Sequence, residues 1–82
     1  MNIYIGNLDY GVRESDLRDM MEEFGGVTSA KLIMDRESGR SKGFGFIEMD
    51  NNDEANTAIR NLNGTMHQGR SMVVKEATPR AY

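Results

Sequence analysis

Residues 42–49 read Lys42-Gly43-Phe44-Gly45-Phe46-Ile47-Glu48-Met49. Side chains alternate across a β-strand, so Gly43, Gly45, Ile47 and Met49 share one side. Phe44, Phe46 and Glu48 share the other. Ile47 and Met49 mark the side that belongs against a core. The two phenylalanines then stand on the opposite side, toward solvent. Glycine weakens a strand interior, so two of them alternating with aromatic rings need a reason. On the inward side, Gly43 and Gly45 are expected to let packed helices approach closely.

The neighbouring segments supply those helices. Leu17, Met20, Met21 and Phe24 recur at i, i+3, i+4 and i+7, one apolar stripe of a helix over residues 14–24. Gly25-Gly26 stops it. Arg13 is a poor N-cap, and Ser15 or Asp16 is left to help the first turn. Ala55, Ala58, Ile59 and Leu62 form the stripe of a second helix over residues 52–62, ended by Asn63-Gly64. Asn51 and Glu54 have the spacing of a capping box at its start. Strands are predicted at residues 2–8, 27–34, 42–49 and 70–77, with a polar turn from Asp35 to Ser41. In the first strand Ile3 and Ile5 face in, while Tyr4 and Gly6 face out, Gly6 leaving room beside Tyr4. In the last, Met72 and Val74 oppose Val73 and Lys75. The inward positions of residues 20–72 look rich in methionine, a soft and poorly specifying core residue.

The order is therefore βαββαβ. This split arrangement makes a four-stranded antiparallel sheet with both helices on one face, an α+β fold with the other face open. The first and third strands are central neighbours in this topology. Tyr4, Phe44 and Phe46 then converge on a solvent-facing surface, although the chain has only three Tyr and three Phe. A contiguous exposed aromatic patch usually marks a binding site. Flat rings on a sheet can stack unpaired bases.

Composition first argues the other way. The 82 residues carry 10 Lys+Arg against 13 Asp+Glu, a net charge of −3, where a polyanion calls for a basic surface. The total conceals segregation: residues 13–24 and 48–60 each sum to −3, while residues 31–42 and 70–80 each sum to +2. The acidic blocks are mainly the helices, behind the sheet. The basic blocks are loops and strand ends framing the open face. There is no cysteine, so neither a disulfide nor a thiolate metal site is available. Mean hydropathy is −0.62, and no apolar run approaches the ~18 residues of a membrane span. Met1 leads almost directly into the first strand, so no signal peptide is expected and the cytoplasm is the expected location. One domain over residues 1–82 is expected from the length.

Ile3-Tyr4-Ile5-Gly6-Asn7-Leu8 resembles the hexamer ribonucleoprotein motif, and residues 42–49 resemble the octamer. Paired in this order, they identify the chain as similar to the RNA recognition motif (RRM) family, with its ferredoxin-like fold. The resemblance covers essentially the whole chain, and the small single-domain bacterial members are the most similar. Those often continue into a glycine-rich tail, and residues 1–82 include no such segment. Met49 stands where the family usually has an aromatic, and Arg13 replaces the usual capping residue. The resemblance implies that Tyr4 and Phe46 stack on successive bases, Phe44 packs against sugars and Lys42 meets a phosphate. Lys75 and the main chain after the last strand are expected to touch the strand as well.

Other outward residues join the candidate surface. Asn2, Ile33 and Val73 could extend it. Glu48 could accept from a cytosine amino group. Lys31, Arg36, Arg40, Arg70 and Arg80 are expected to attract phosphates diffusely. His67 is alone in a loop. The expected partner is single-stranded RNA, with single-stranded DNA as an alternative, for a chain that is monomeric when free. A protein-interaction RRM-like domain is a further alternative. Such domains typically lose the sheet aromatics and gain an Arg-x-Phe before the last strand, and residues 62–72 hold no phenylalanine. The same architecture hosts acylphosphatases, but there is no catalytic dyad, activated nucleophile or metal cluster. No enzymatic activity, cofactor, small-molecule substrate or membrane association is expected.

Overall fold

A computed structural model describes residues 1–67 and 69–77. The elements run β1 (Asn2–Gly6), α1 (Glu14–Glu22), β2 (Ser29–Met34), β3 (Ser41–Glu48), α2 (Asn52–Leu62), β4 (Met66–His67), β5 (Arg70–Ser71) and β6 (Val73–Ala77). β2, β3, β1 and β6 form a four-stranded sheet in that order, every neighbouring pair antiparallel. Leu17 and Met21 of α1 and Ala55 and Ala58 of α2 pack with Ile3, Ile5, Ile47 and Val74. Both helices therefore cover the same sheet face, as the alternation in residues 42–49 requires. The core is mainly aliphatic. Met21, Met49 and Met72 are buried, but Met34 and Met66 are exposed, so methionine fills less of the interior than its abundance suggests.

The helix starts are held differently. Asn51 Oδ1 accepts from the Glu54 amide at 3.0 Å, the expected N-cap of α2. The reciprocal half of the box is absent, because Glu54 Oε1 instead accepts from the Gly26 amide at 3.3 Å. That bond ties α2 to the turn after α1. At α1 the guanidinium of Arg13 has no acceptor to offer. Asp16 Oδ2 accepts from the Arg13 amide at 2.9 Å and does the work from inside the helix.

The expected last strand, residues 70–77, is divided. β1 stops at Gly6, opposite Val73, because Asn7 turns with a φ of +56°. Residues 70–72 then have no β1 partner, and their backbone groups need another. Residues 64–67 fold back to supply it. β4 pairs with β5, and the Met72 amide and carbonyl bond Thr65 O and Gly64 N at 2.9 and 2.8 Å.

The two glycines of β3 have separate reasons. Gly43 adopts a φ of +85°, at an irregularity where β2–β3 pairing shifts between Leu32 and Met34. Such a φ costs any other residue strain. It packs against the loop after β1, where its carbonyl accepts from the Leu8 amide at 2.9 Å, and not against a helix. Gly45 is the close-approach position. A Cβ built there would lie 2.6 Å from the Lys31 carbonyl oxygen and 3.1 Å from Leu17 Cδ1. The first neighbour is backbone of the adjacent strand and cannot swing away. Gly45→Ala is expected to destabilise the fold by about 2 kcal/mol, a fall in Tm of roughly 8–16 °C for a chain of this size. Thermal denaturation followed by circular dichroism checks this, and an unchanged Tm would contradict the packing described.

Candidate nucleic-acid interface

The strand registers lay out the open face in rows. Across its middle stand Lys31, Phe46, Tyr4 and Lys75, one from each strand in sheet order. Two aromatic rings are thus flanked by two ammonium groups. The next row is Ser29, Glu48, Asn2 and Ala77. It offers a carboxylate and a carboxamide, groups that can accept from and donate to base edges. Phe44 lies on the other side of the middle row, two residues along β3 from Phe46.

The three rings form one cluster. Tyr4 is 6.0 Å from Phe44 and 5.8 Å from Phe46, centroid to centroid, and the phenylalanines are 6.1 Å apart. Tyr4 and Phe44 are inclined by 29°, whereas Phe46 meets them at 64° and 87°. Phe46 stands proudest, at 37 % exposed, and the other two are half-buried. Lys75 Nζ hangs 5.4 Å from the Tyr4 centroid, a cation–π contact. Gly6 is buried although it faces outward, because the Tyr4 ring lies over it. A Cβ at Gly6 would overlap the ring.

The remaining expected residues frame this cluster. Lys42 is exposed on the outward side of β3. Ile33 is half-buried in β2, at the pairing irregularity. Val73 is exposed at the start of β6. Arg36 and Arg40 are exposed on the loop between β2 and β3, which is built by its own hydrogen bonds. Asp35 exchanges backbone bonds with Gly39 and Arg40 at 2.9 and 2.7 Å, and its carboxylate accepts from the Glu37 amide at 2.8 Å. Arg80, Tyr82 and the main chain after Ala77 lie outside the described residues.

One feature of the surface has only a weak signature in the sequence. Tyr10, in the loop after β1, is 66 % exposed, and the Arg70 guanidinium sits 5.9 Å from its ring centroid. The two are distant in sequence. A turn-flanking aromatic with no apolar period was the only hint.

The RNA recognition motif model matches residues 3–73. The chain belongs to the RNA recognition motif family. Among relatives of this RRM is the Nostoc sp. (strain PCC 7120) protein named for RNA binding as RbpE, 45 % identical over 80 residues, which span 98 % of this chain and 81 % of RbpE. The crystal structure of RNA Binding Protein PG1 superposes with a TM-score of 0.94 at 52 % identity, covering 100 % of this chain and 99 % of that one. A structure of the Rna15 RRM with bound RNA (GU) superposes with a TM-score of 0.86 at 31 % identity, covering 95 % and 83 % of the two chains. Among the described residues no group of three or more His, Asp or Glu is placed to hold a metal ion, and no helix is long and apolar enough to cross a membrane.

The seat of Tyr4 on Gly6 has a measurable consequence. In Gly6→Ala the new methyl displaces the ring, because the overlap is with a side chain free to swing and not with backbone. Lys75 Nζ lies 5.4 Å from that ring's centroid, and the adjoining ε-methylene signal is expected to shift in the NMR spectrum when the ring moves, with little change in Tm. An unaltered Lys75 signal would show that the ring does not depend on Gly6.

Proposed function

We propose that this RRM is a single-stranded RNA-binding module whose ligand lies across the open sheet face. The middle row, Lys31–Phe46–Tyr4–Lys75, is the observation that carries the reading. It combines what an unpaired strand needs: two flat rings for bases, with a cation on either side for phosphates. Tyr4 and Phe46 each take one base by stacking. Phe44, beside this pair and less exposed than Phe46, packs against the sugars between the two bases. Lys31, Lys42, Lys75 and Arg40 neutralise phosphates. Lys75 leaves the Tyr4 ring as a base arrives, exchanging a cation–π contact for a phosphate. Asn2 and Glu48 address base edges in the adjoining row, Glu48 favouring bases that carry an amino group. Ile33 extends the apolar floor.

RNA is favoured over single-stranded DNA by kinship, since RbpE is named for RNA binding and the Rna15 RRM is solved with RNA. The module works as one domain, as a monomer in the cytoplasm, through binding alone and without catalysis. Stacking contributes about 1–3 kcal/mol per base, part of which offsets ordering of the strand. Affinity for two to four nucleotides is therefore expected at about micromolar Kd or weaker.

NMR titration of the labelled chain with a random short RNA pool tests the proposal. Shifts are expected on residues 2–6 and 42–48, and Phe46→Ala is expected to weaken binding roughly 5- to 160-fold at nearly unchanged Tm. If Phe46→Ala binds like the wild type, the stacking assignment is wrong. Electrostatics are tested separately. With three or four phosphates neutralised, log K against log salt should fall with a slope of about −2 to −3. A flat salt dependence would remove the lysines from the interface.

A further inference from the structure

Beyond the sheet, Tyr10 and Arg70 form a second exposed aromatic element. We propose that they make a rim subsite for one additional nucleotide of the same RNA strand, stacked on the Tyr10 ring where the strand leaves the sheet. The inference rests on the sheet being the RNA-binding face, and it adds a position that the sheet rows do not contain.

Three observations carry it. The first is exposure without purpose in the fold: Tyr10 is 66 % exposed, while its neighbours Leu8 and Val12 are buried and anchor the loop. The second is that the loop is fixed. The Asp9 carboxylate accepts from the Gly11 amide at 2.9 Å, its carbonyl accepts from the Val12 amide at 3.1 Å, and the Leu8 amide bonds Gly43 O at 2.9 Å. Asn7 Nδ2 bonds Ser71 O at 2.7 Å and its Oδ1 accepts from Arg70 Nη2 at 3.3 Å. That last bond aims the guanidinium at the Tyr10 ring. The subsite is thus assembled before ligand arrives, which lowers the ordering cost of binding.

The third is continuity. A Cβ at Gly43 would lie 3.7 Å from Tyr10 Cε1, which puts Tyr10 at the end of β3 where Lys42 and Phe44 stand. The loop departs from Gly6, two residues or about 7 Å beyond Tyr4 along β1, so Tyr10 follows on past the end of the strand that carries Tyr4. Lys42 and Arg70 give this end of the face a positive rim. The nearby Asp9 carboxylate is engaged with the Gly11 amide. A planar guanidinium over one side of a tyrosine is also suited to a phosphate or a base.

The test compares random single-stranded RNA pools of two lengths, three and seven nucleotides, titrated by NMR into the wild type, Tyr10→Ala, Tyr10→Phe and Phe46→Ala. Tyr10→Ala is expected to weaken the longer pool about 5- to 160-fold and leave the shorter one unchanged, with Tyr10→Phe close to wild type. If Tyr10→Ala matches wild type on both lengths while Phe46→Ala weakens both, the rim subsite is overturned and the sheet reading stands. Equal loss on both lengths would show that Tyr10 only supports the sheet, and overturns the subsite too. If the wild type binds neither pool, both readings fall.

Discussion

The arrangement depends on the missing side chain at Gly45. At that point β3 runs so close to the Lys31 carbonyl of β2 and to Leu17 of α1 that no Cβ fits between them. Space on the inward side is filled by a neighbour's backbone and a helix side chain. The flanking residues, Phe44 and Phe46, have only the outward side to occupy, because alternation along a strand admits no third option. The same close approach brings α1 down onto the sheet and seals the core on that face. Helix packing and ring exposure are thus two results of one steric constraint.

The molecule consequently keeps stability and binding in different residues. Its core is built from small and medium aliphatic side chains, with Ala55 and Ala58 where α2 meets the sheet. The central rings contribute little to that core and can contact a ligand without opening the fold. Charge is divided along the same plane. α1 carries Glu14, Asp16, Asp19 and Glu22, and α2 carries Asp53 and Glu54; both helices lie behind the sheet, and Glu14 reaches its edge to accept from the Leu32 amide of β2. Lys31, Lys42 and Lys75 are in front. At physiological salt, screening sets in over about 8 Å. A phosphate on the open face therefore responds mainly to the lysines beside it, and the net charge of −3 is a poor guide to what that face attracts.

Much of this was legible in the sequence because it follows from periodicity. Ile3, Ile5, Ile47, Met72 and Val74 fix which side is inward, and the positions of Tyr4, Phe44, Phe46 and Glu48 follow by parity. The second helix was legible to the residue, since Asn51 caps it and Asn63-Gly64 ends it. The division of the last strand was not. It depends on where β1 stops, and that is set by the left-handed turn at Asn7, a backbone choice with only a weak sequence signature. Nor was the role of Gly43 visible. Both glycines of β3 look alike in the sequence, yet one supplies a positive φ and the other a gap. Glu54 shows the same limit: its spacing from Asn51 suggests a reciprocal cap, but a Gly26 amide brought near by the fold takes its carboxylate instead.

Contacts between residues distant in sequence and without a periodic pattern are the least legible of all, and they gather at one end of the sheet. Asn7, Tyr10, Arg70 and Ser71 meet there through hydrogen bonds and a cation–π contact, and the Leu8 amide ties the same loop to Gly43. This end is rigid for a definite reason. The hairpin of β4 and β5 exists to satisfy backbone groups that β1 abandons at Asn7, and the Asn7 side chain then bonds back to that hairpin. A turn that ends one strand thereby positions the residues that prolong the surface past it. Rigidity of this kind matters for a ligand as flexible as a single strand, whose ordering opposes binding. What the protein can contribute cheaply is a set of rings and cations that need no ordering of their own, and the hydrogen-bonded frame around Tyr4, Phe46 and Tyr10 supplies it.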